Sequence, residues 1–266
     1  MSILLLSPIF LRTSGRNIMP TTKVRKSDMR QYDASTHFKS LTLFAGLSAE
    51  DIRYFADAAH IKNYKKDKLI FTEDEQAGYF YIILSGWIRL FHTTEEGEEI
   101  NLAILTMNSL VGESSIFEEG RYTSSAQVAE AVQVLSIPIN LLKEYLLINQ
   151  QMAFNMLTIM TKYQRLHALQ LELYHLYTAP QRIGCFLLGL CPPLDHRDGV
   201  KINLPYDKTL IAATLGMKGS TFSRALNILR KETGLQIHGT HVKIDSIKRL
   251  LDFVNGCYLN TLVNKV

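Results

Sequence analysis

Residues 216–231 read GMKGSTFSRALNILRK, and two stripes with the 3.6-residue period of a helix run through them. Phe222, Leu226 and Leu229 lie on an apolar stripe that must be buried against something. The second stripe carries hydrogen-bonding groups and positive charge but no carboxylate, and its members are Ser220, Ser223, Arg224, Asn227 and Lys231. We therefore expect a helix that is anchored by one side and offers the other side to an acidic partner.

The sequence on either side of this helix predicts a winged helix-turn-helix. A helix from about residue 207 to 215 precedes it, Gly216 marks a tight turn, and a β-hairpin turning at Gly239-Thr240 follows. Residues 201–266 carry ten basic and four acidic side chains, whereas residues 41–200 carry twelve and nineteen. A basic C-terminal module on an acidic body indicates that one end of the molecule approaches a polyanion.

The middle of the chain changes from strands to a helix at Pro138. Residues 69–137 are rich in β-branched and aromatic residues between turn signals such as Ser85-Gly86, which predicts a rolled, strand-rich domain. From residue 139 to 177 there is neither glycine nor proline, which predicts one long helix. Its apolar stripe is expected to pair with a second copy of the chain, the alternative being a helix packed only on its own roll. That stripe consists of Ile159, Leu166, Leu169, Leu173 and Leu176.

The N-terminal segment, residues 1–37, is predicted to be a basic, disordered tail. Its run ILLLSPIFL is interrupted by Pro8 and is far shorter than the roughly 20 residues of a membrane span, so no membrane association is expected. A cleaved signal peptide and a start codon assigned too early are the alternatives.

Length and cysteine content narrow the classes of protein to which this chain can belong. At 266 residues with 47% hydrophobic residues, the chain is long enough for two domains. Three cysteines without CxxC spacing form neither a disulfide framework nor a redox motif, which fits the cytoplasm. The sequence shows no nucleophile-base arrangement, phosphate-cradling loop or metal-ligand cluster, which argues against an enzyme and against a metal site.

The order of these parts resembles the CRP/FNR family of bacterial transcription regulators. The resemblance covers residues 38–254 and includes the motifs SGWIRL, GESSIFEEG and QRIG. It implies an α+β fold with an N-terminal double-stranded β-helix of the jelly-roll, cyclic-nucleotide-binding type, a long dimerisation helix and a C-terminal winged helix-turn-helix. The implied boundaries are 38–138 for the effector-sensing roll, 139–178 for the dimerisation helix and 179–266 for the DNA-binding domain.

The resemblance also implies which residues bind double-stranded DNA. Arg224 falls on the recognition arginine of the family, whose guanidinium contacts guanine O6 and N7 together. Ser223 matches the FNR branch, whereas Ser220 replaces a glutamate found in many relatives, so the half-site differs from those of the well-known branches. Lys218, Thr221, Asn227 and Lys243 are expected to contact phosphates. A homodimer, a palindromic operator and RNA polymerase as a partner are implied as well.

The expected effector pocket keeps only part of the cyclic AMP site of the family. Glu113 matches the ribose-binding glutamate, but Thr123 or Ser124 stands where relatives have the phosphate-binding arginine, and Arg121 is displaced. The helix Thr-Ser pair that contacts adenine becomes His167-Ala168. Cyclic AMP is therefore not expected, and the small-molecule effector is unknown.

Three cysteines are too few for the iron-sulfur cluster of FNR. The motif TFSRAL is similar to that of the DNR-type branch. A haem-dependent nitric oxide sensor is therefore one alternative. His167, His60, His92 and His175 are the candidate iron ligands for that alternative. A constitutive regulator with a vestigial pocket is the other.

Overall fold

The computed structural model describes residues 34–191, 199–204, 208–239 and 241–254. These residues divide into two compact units, one formed by 34–98 with 105–164 and the other by 99–104 with the described residues from 165 onward. Within the described part of the chain, no helix is long and apolar enough to cross a membrane. The expectations for residues 1–33 lie outside the described residues.

A β-roll lies mostly in the first unit, although residues 99–104 of one of its strands are grouped with the second. In its sheet β1, β6, β3 and β4 are neighbours in that order, while β2 pairs with β6 and β5 with β3. The strands are β1 (His60–Tyr64), β2 (Leu69–Phe71), β3 (Tyr79–Thr93), β4 (Glu99–Leu105), β5 (Leu110–Val111) and β6 (Ser125–Pro138).

The predicted turn at Ser85-Gly86 is wrong, because both residues lie inside the continuous strand β3. The register between β3 and β6 shifts on both sides of Ser85 and again after Trp87, as in a β-bulge. Gly86 has a φ of +83°, and a Cβ there would lie 2.2 Å from the carbonyl oxygen of Ala131. Glycine therefore permits the bulge and the close approach of β6 rather than a chain reversal.

Helices close the roll against a shared core. The first is α1 (Ala34–Lys39), which begins inside the segment predicted to be a tail. A 3-10 turn (Thr42–Phe44) and α2 (Ala49–Ala58) follow, and Ser48 and Asp51 form a capping box at the start of α2. The core of this unit joins aromatic rings of these helices to strand residues, including Phe38, Phe44, Phe55, Phe80, Ile82, Leu135 and Ile137.

The single long helix predicted after Pro138 is two helices, α3 (Ile139–Ile148) and α4 (Gln150–Leu176). The break is at Asn149, whose backbone N–H donates to the Tyr145 carbonyl while its side-chain oxygen accepts from the Met152 N–H at 2.9 Å. One asparagine thus ends α3 and caps α4, a role that its short polar side chain favours.

The stripe expected to pair with a second chain is partly buried within this one. Ile159, Leu166 and Leu173 are at most 8% exposed in the single chain, so a partner is not needed to remove them from water. Another set of α4 residues is exposed instead, at positions that repeat as a heptad: Phe154, Leu157, Thr161, Gln164, Ala168 and Leu171.

The second unit contains the predicted winged helix-turn-helix. Its elements are α5 (Ala179–Leu190), β7 (Val200–Asn203), α6 (Lys208–Thr214), α7 (Gly219–Thr233), β8 (Gln236–His238), β9 (His241–Ile244) and α8 (Ile247–Phe253). At Gly184 of α5 a Cβ would lie 2.5 Å from Val254, so glycine allows α5 to pack closely at the end of α8. The three short strands form one sheet in the order β7-β9-β8. The α+β class with a roll, a long helix and a winged helix-turn-helix is confirmed.

Candidate DNA interface and effector pocket

Helix α7 is anchored by the apolar stripe that its sequence predicts. Phe222, Ala225, Leu226 and Leu229 are all at most 8% exposed. The helix ends at Gly234, which has a φ of +74° and donates its N–H to the Arg230 carbonyl. Because these contacts fix the rotation of α7 about its axis, the polar stripe faces away from the core of the unit.

The turn before α7 is held by the end of α4 and by α5. Gly216 has a φ of +64°, and a Cβ there would lie 3.1 Å from the ring of Tyr174. The Tyr174 hydroxyl donates to the Thr214 carbonyl at 3.1 Å, and Arg182 donates from Nη1 to the Leu215 carbonyl at 2.9 Å. Two side chains therefore satisfy carbonyls at the C-terminal end of α6 and fix the turn.

The polar stripe of α7 is exposed. Lys218, Ser220, Ser223, Arg224 and Asn227 are exposed, and Thr221 is half-buried. Ser223 donates from its hydroxyl to the Gly219 carbonyl at 3.0 Å, so its remaining capacity is that of an acceptor.

Charge on this stripe is uncompensated. The first turn of α7 contains no acidic residue, and the N-cap Lys218 makes no side-chain capping bond. Within the described residues, the Arg224 guanidinium has neither a hydrogen bond nor an ion pair. A positive charge on a rigid helix with no partner of its own is suited to bind a polyanion from outside the chain.

The wing carries a cation that already has a partner. Lys243 on β9 is exposed, and its Nζ lies 2.7 Å from Oδ1 of Asp245. The same carboxylate accepts from Gln236 at 3.4 Å through its other oxygen. Lys243 therefore offers a partly compensated charge at the position predicted to contact phosphate.

In the roll, Glu113 is buried at the start of a 3-10 turn (Glu113–Phe117) that follows β5. The turn is entered through Gly112, where a φ of +82° and a distance of 2.8 Å from a Cβ to the Tyr122 ring both require glycine. Burial raises the pKa of Glu113 from 4.5 to about 7. Burial and the Glu113 charge also raise the pKa of Tyr163 on α4.

Hydroxyl groups occupy the rest of the predicted pocket. Ser114 and Thr123 approach each other at 3.4 Å between their side-chain oxygens, and Ser124 is buried. Arg121 is exposed and donates from Nη1 to the Asp74 carbonyl at 2.6 Å. The one arginine of residues 112–125 is thus bound to the backbone of a neighbouring loop.

The predicted histidines do not form a common site. His167 lines a shallow cavity of about 50 Å³ with Gln170, Tyr174 and Thr214. His92 Nδ1 lies 2.7 Å from Oε1 of Glu73, while His60 and His175 are exposed. In the part of the chain that the structure describes, no three His, Cys, Asp or Glu side chains are grouped as for a metal ion.

Sequence reasoning missed three residues that the structure links to these sites. Tyr163, whose pKa the Glu113 charge raises, and Tyr174 and Arg182 at the helix-turn-helix turn carry no local signal, because the groups that they interact with are 33 to 50 residues away along the chain. The QRIG motif contains Arg182, but the motif does not predict that this arginine donates to the Leu215 carbonyl.

Comparisons with known proteins agree with both units. A cyclic nucleotide-binding domain model matches residues 61–149 and a Crp-like helix-turn-helix domain model matches residues 181–253. The cyclic AMP receptor protein of Thermus thermophilus is 28% identical over 197 residues, which cover 73% of this chain and 88% of the relative. The global nitrogen regulator of Synechococcus elongatus is 27% identical, covering 69% and 85%. The structure of FixK2 from Bradyrhizobium japonicum is similar with a TM-score of 0.61 at 25% identity, covering 73% and 96%.

Proposed function

The chain belongs to the CRP/FNR family of transcription regulators, and we propose that it acts as a cytoplasmic homodimer that binds a roughly palindromic operator under the control of its roll. The observation that carries this proposal is the acid-free, exposed stripe of α7 on a helix whose other side is fully anchored. RNA polymerase is the protein partner that this role requires. The chain acts by binding, not by catalysis.

Arg224 reads a guanine in this proposal. Its guanidinium is exposed on α7 and has no partner among the described residues, so a bidentate contact with O6 and N7 needs no internal bond to break. Ser223 acts as an acceptor, which favours an exposed amino group of cytosine or adenine. Lys218, Thr221 and Asn227 contact phosphates and position the helix, while Ser220 lies where a glutamate would select cytosine.

Dimerisation uses the exposed heptad positions of α4. Phe154 is 66% exposed, Leu157 62% and Leu171 47%, although each lies on the same face of one helix. The exposed apolar side chains at both ends of this heptad, with Thr161 and Gln164 between them, favour pairing with the same positions of a second chain. Residues 139–178 and 179–266 then serve as the dimerisation and DNA-binding parts, and 38–138 as the sensing part.

The dimer is tested by sedimentation of Leu157→Glu. We expect monomers and loss of operator binding, because a carboxylate would face its own copy across the seam. Leu147→Glu makes the same change at an 80% exposed leucine of α3 and should leave the dimer intact. Dimers of unchanged stability in Leu157→Glu would refute this seam.

The effector differs from cyclic AMP in this proposal. Thr123 or Ser124 supplies only a hydroxyl where a phosphodiester needs a guanidinium, and Arg121 donates to the Asp74 carbonyl. Glu113 remains to bind a polar group of another ligand, and its charge raises the pKa of Tyr163 on α4, which couples the pocket to the long helix. Effector and operator must then strengthen each other's binding reciprocally.

The whole proposal is tested by selecting duplexes from a random pool with the full chain, with and without candidate effectors at low ionic strength. We expect an enriched palindrome with half-sites about one helical turn apart. A chain that retains no duplex under any of these conditions would disprove the DNA-binding role.

A further inference from the structure

The wing carries two histidines directly opposite each other. In the antiparallel pair β8–β9 the register places His238 against His241, next to Ile237 against Val242. Val242 is buried and Ile237 half-buried, whereas both histidines are exposed. Side chains of an antiparallel pair that are in register point to the same face, so both imidazoles lie on the outer face of the wing.

This arrangement has the geometry of a metal chelate. Opposed residues of an antiparallel pair have Cβ atoms about 4.5–5.5 Å apart. Imidazole nitrogens bind zinc at about 2.0–2.1 Å, so two rings at that spacing reach one ion between them. Gly239, with a φ of +61°, directly follows His238, and the pairing of β8 with β9 holds both histidines at the end of the hairpin.

We propose that His238 and His241 bind a divalent transition-metal ion of the zinc class on the wing. Two imidazoles leave coordination positions open, and oxygen ligands from outside the chain fill them. A second part of the inference rests on the proposed DNA-binding role. In it, a phosphate oxygen of the operator completes the coordination of the ion, which then bridges the wing and the DNA.

The charges around the pair permit this site. Lys243 lies two residues along β9 on the same exposed face, but its ammonium is paired with Asp245 at 2.7 Å. Across the sheet, Lys201 of β7 is in register with Lys243 rather than with His241, so it lies one row further from the pair. A cation bound at the histidines also adds positive charge to the surface that faces DNA.

Metal binding is measured first, by calorimetric titration of zinc into the chelator-treated full chain without DNA. We expect one strong event per chain that His238→Gln or His241→Gln weakens roughly a hundredfold, because the second bond of a chelate forms within the molecule. His60→Gln is the matched control, since His60 is exposed on β1 opposite Ser136 and should bind no ion of its own. An isotherm in His241→Gln equal to that of the unaltered chain would overturn the site.

The bridge is measured second, as operator affinity with zinc or with chelator. We expect zinc to tighten operator binding by the unaltered chain and to leave His241→Gln unchanged. Operator binding that is equal with zinc and with chelator would overturn the bridge while leaving the DNA-binding role standing. Absence of operator binding under both conditions would overturn the DNA-binding role itself, whatever the calorimetry shows for the metal.

Discussion

Residues 216–231 and residues 112–125 both carry predicted binding residues, but their arginines differ in what they contact. On α7 the arginine is exposed and without a partner among the described residues. In the roll, Arg121 donates to the Asp74 carbonyl, and Thr123 supplies only a hydroxyl. A helix fixes side-chain direction through its period, so the sequence alone predicts that Arg224 points away from the buried stripe, whereas a loop has no such period and the partner of Arg121 is visible only in the structure.

Phe222→Ala is expected to have the largest effect, because it removes the ring that anchors α7. The ring is 4% exposed, and truncating a buried phenylalanine costs about 3–5 kcal/mol of unfolding free energy. Denaturant titration measures the loss. Ile228→Ala on the same helix is the control, since Ile228 is 49% exposed and surface truncations change stability by about 0.5 kcal/mol or less. Equal losses would show that α7 is not anchored by this side.

Glu113→Gln tests the buried carboxyl group of the roll. Burial raises its pKa from 4.5 to about 7, so the folded chain holds the proton more tightly than the unfolded one. Stability should therefore be highest below about pH 4.5 and fall as the pH rises to about 7, by roughly 3 kcal/mol at most. The glutamine variant should lack this part of the pH dependence in denaturant titrations from pH 4.5 to 8. If the unfolding free energies of the two proteins depend on pH in the same way, Glu113 is in contact with water.

Arg224→Ala tests the exposed side of α7. We expect a loss of about 1–3 kcal/mol in binding the preferred operator, together with relaxed preference at one base pair. The free energy of unfolding should not change, because the guanidinium touches no partner in the described residues. Affinities for operators substituted at each position measure the effect, and an equal loss on every sequence would contradict base recognition.

Lys218→Ala should have the smallest effect and a different signature. Loss of one phosphate contact weakens binding to all sequences alike and reduces the slope of log affinity against log salt by about one unit. Lys39→Ala on α1 is a control for a change in total charge. An altered sequence preference in Lys218→Ala would give this residue a base contact instead.

Much of this architecture was predictable from local sequence. The stripe from Phe222 to Leu229, the glycine turn at Gly216 and the hairpin at Gly239 were confirmed, because helix period and positive φ are properties of a few neighbouring residues. Ser85-Gly86 was predicted to be a turn for the same local reason. There the dipeptide is a bulge, since pairing with a strand some 45 residues away supplies the hydrogen bonds that keep the chain extended.

For the apolar residues of α4, too, local sequence did not predict which are buried and which are exposed. Ile159 and Leu166 repeat with a helical period, as do Phe154 and Leu157, and the sequence does not tell which pair its own chain covers. The core buries the first pair and leaves the second exposed, which transfers the expected dimer seam to Phe154 and Leu157. Asn149 is a similar case. An asparagine within a helical pattern caps a new helix only when the chain breaks there into two helices, as it does between α3 and α4.

The sequence by itself determined which side of α7 is polar, because this depends on helix period, and its motifs carried the resemblance to the family. Only the tertiary structure decided that Arg121 binds a backbone carbonyl, that the Glu113 charge acts on Tyr163 and that His238 is in register with His241. Such pairings depend on strand register and helix packing, which bring together residues whose separation in the chain carries no signal of contact.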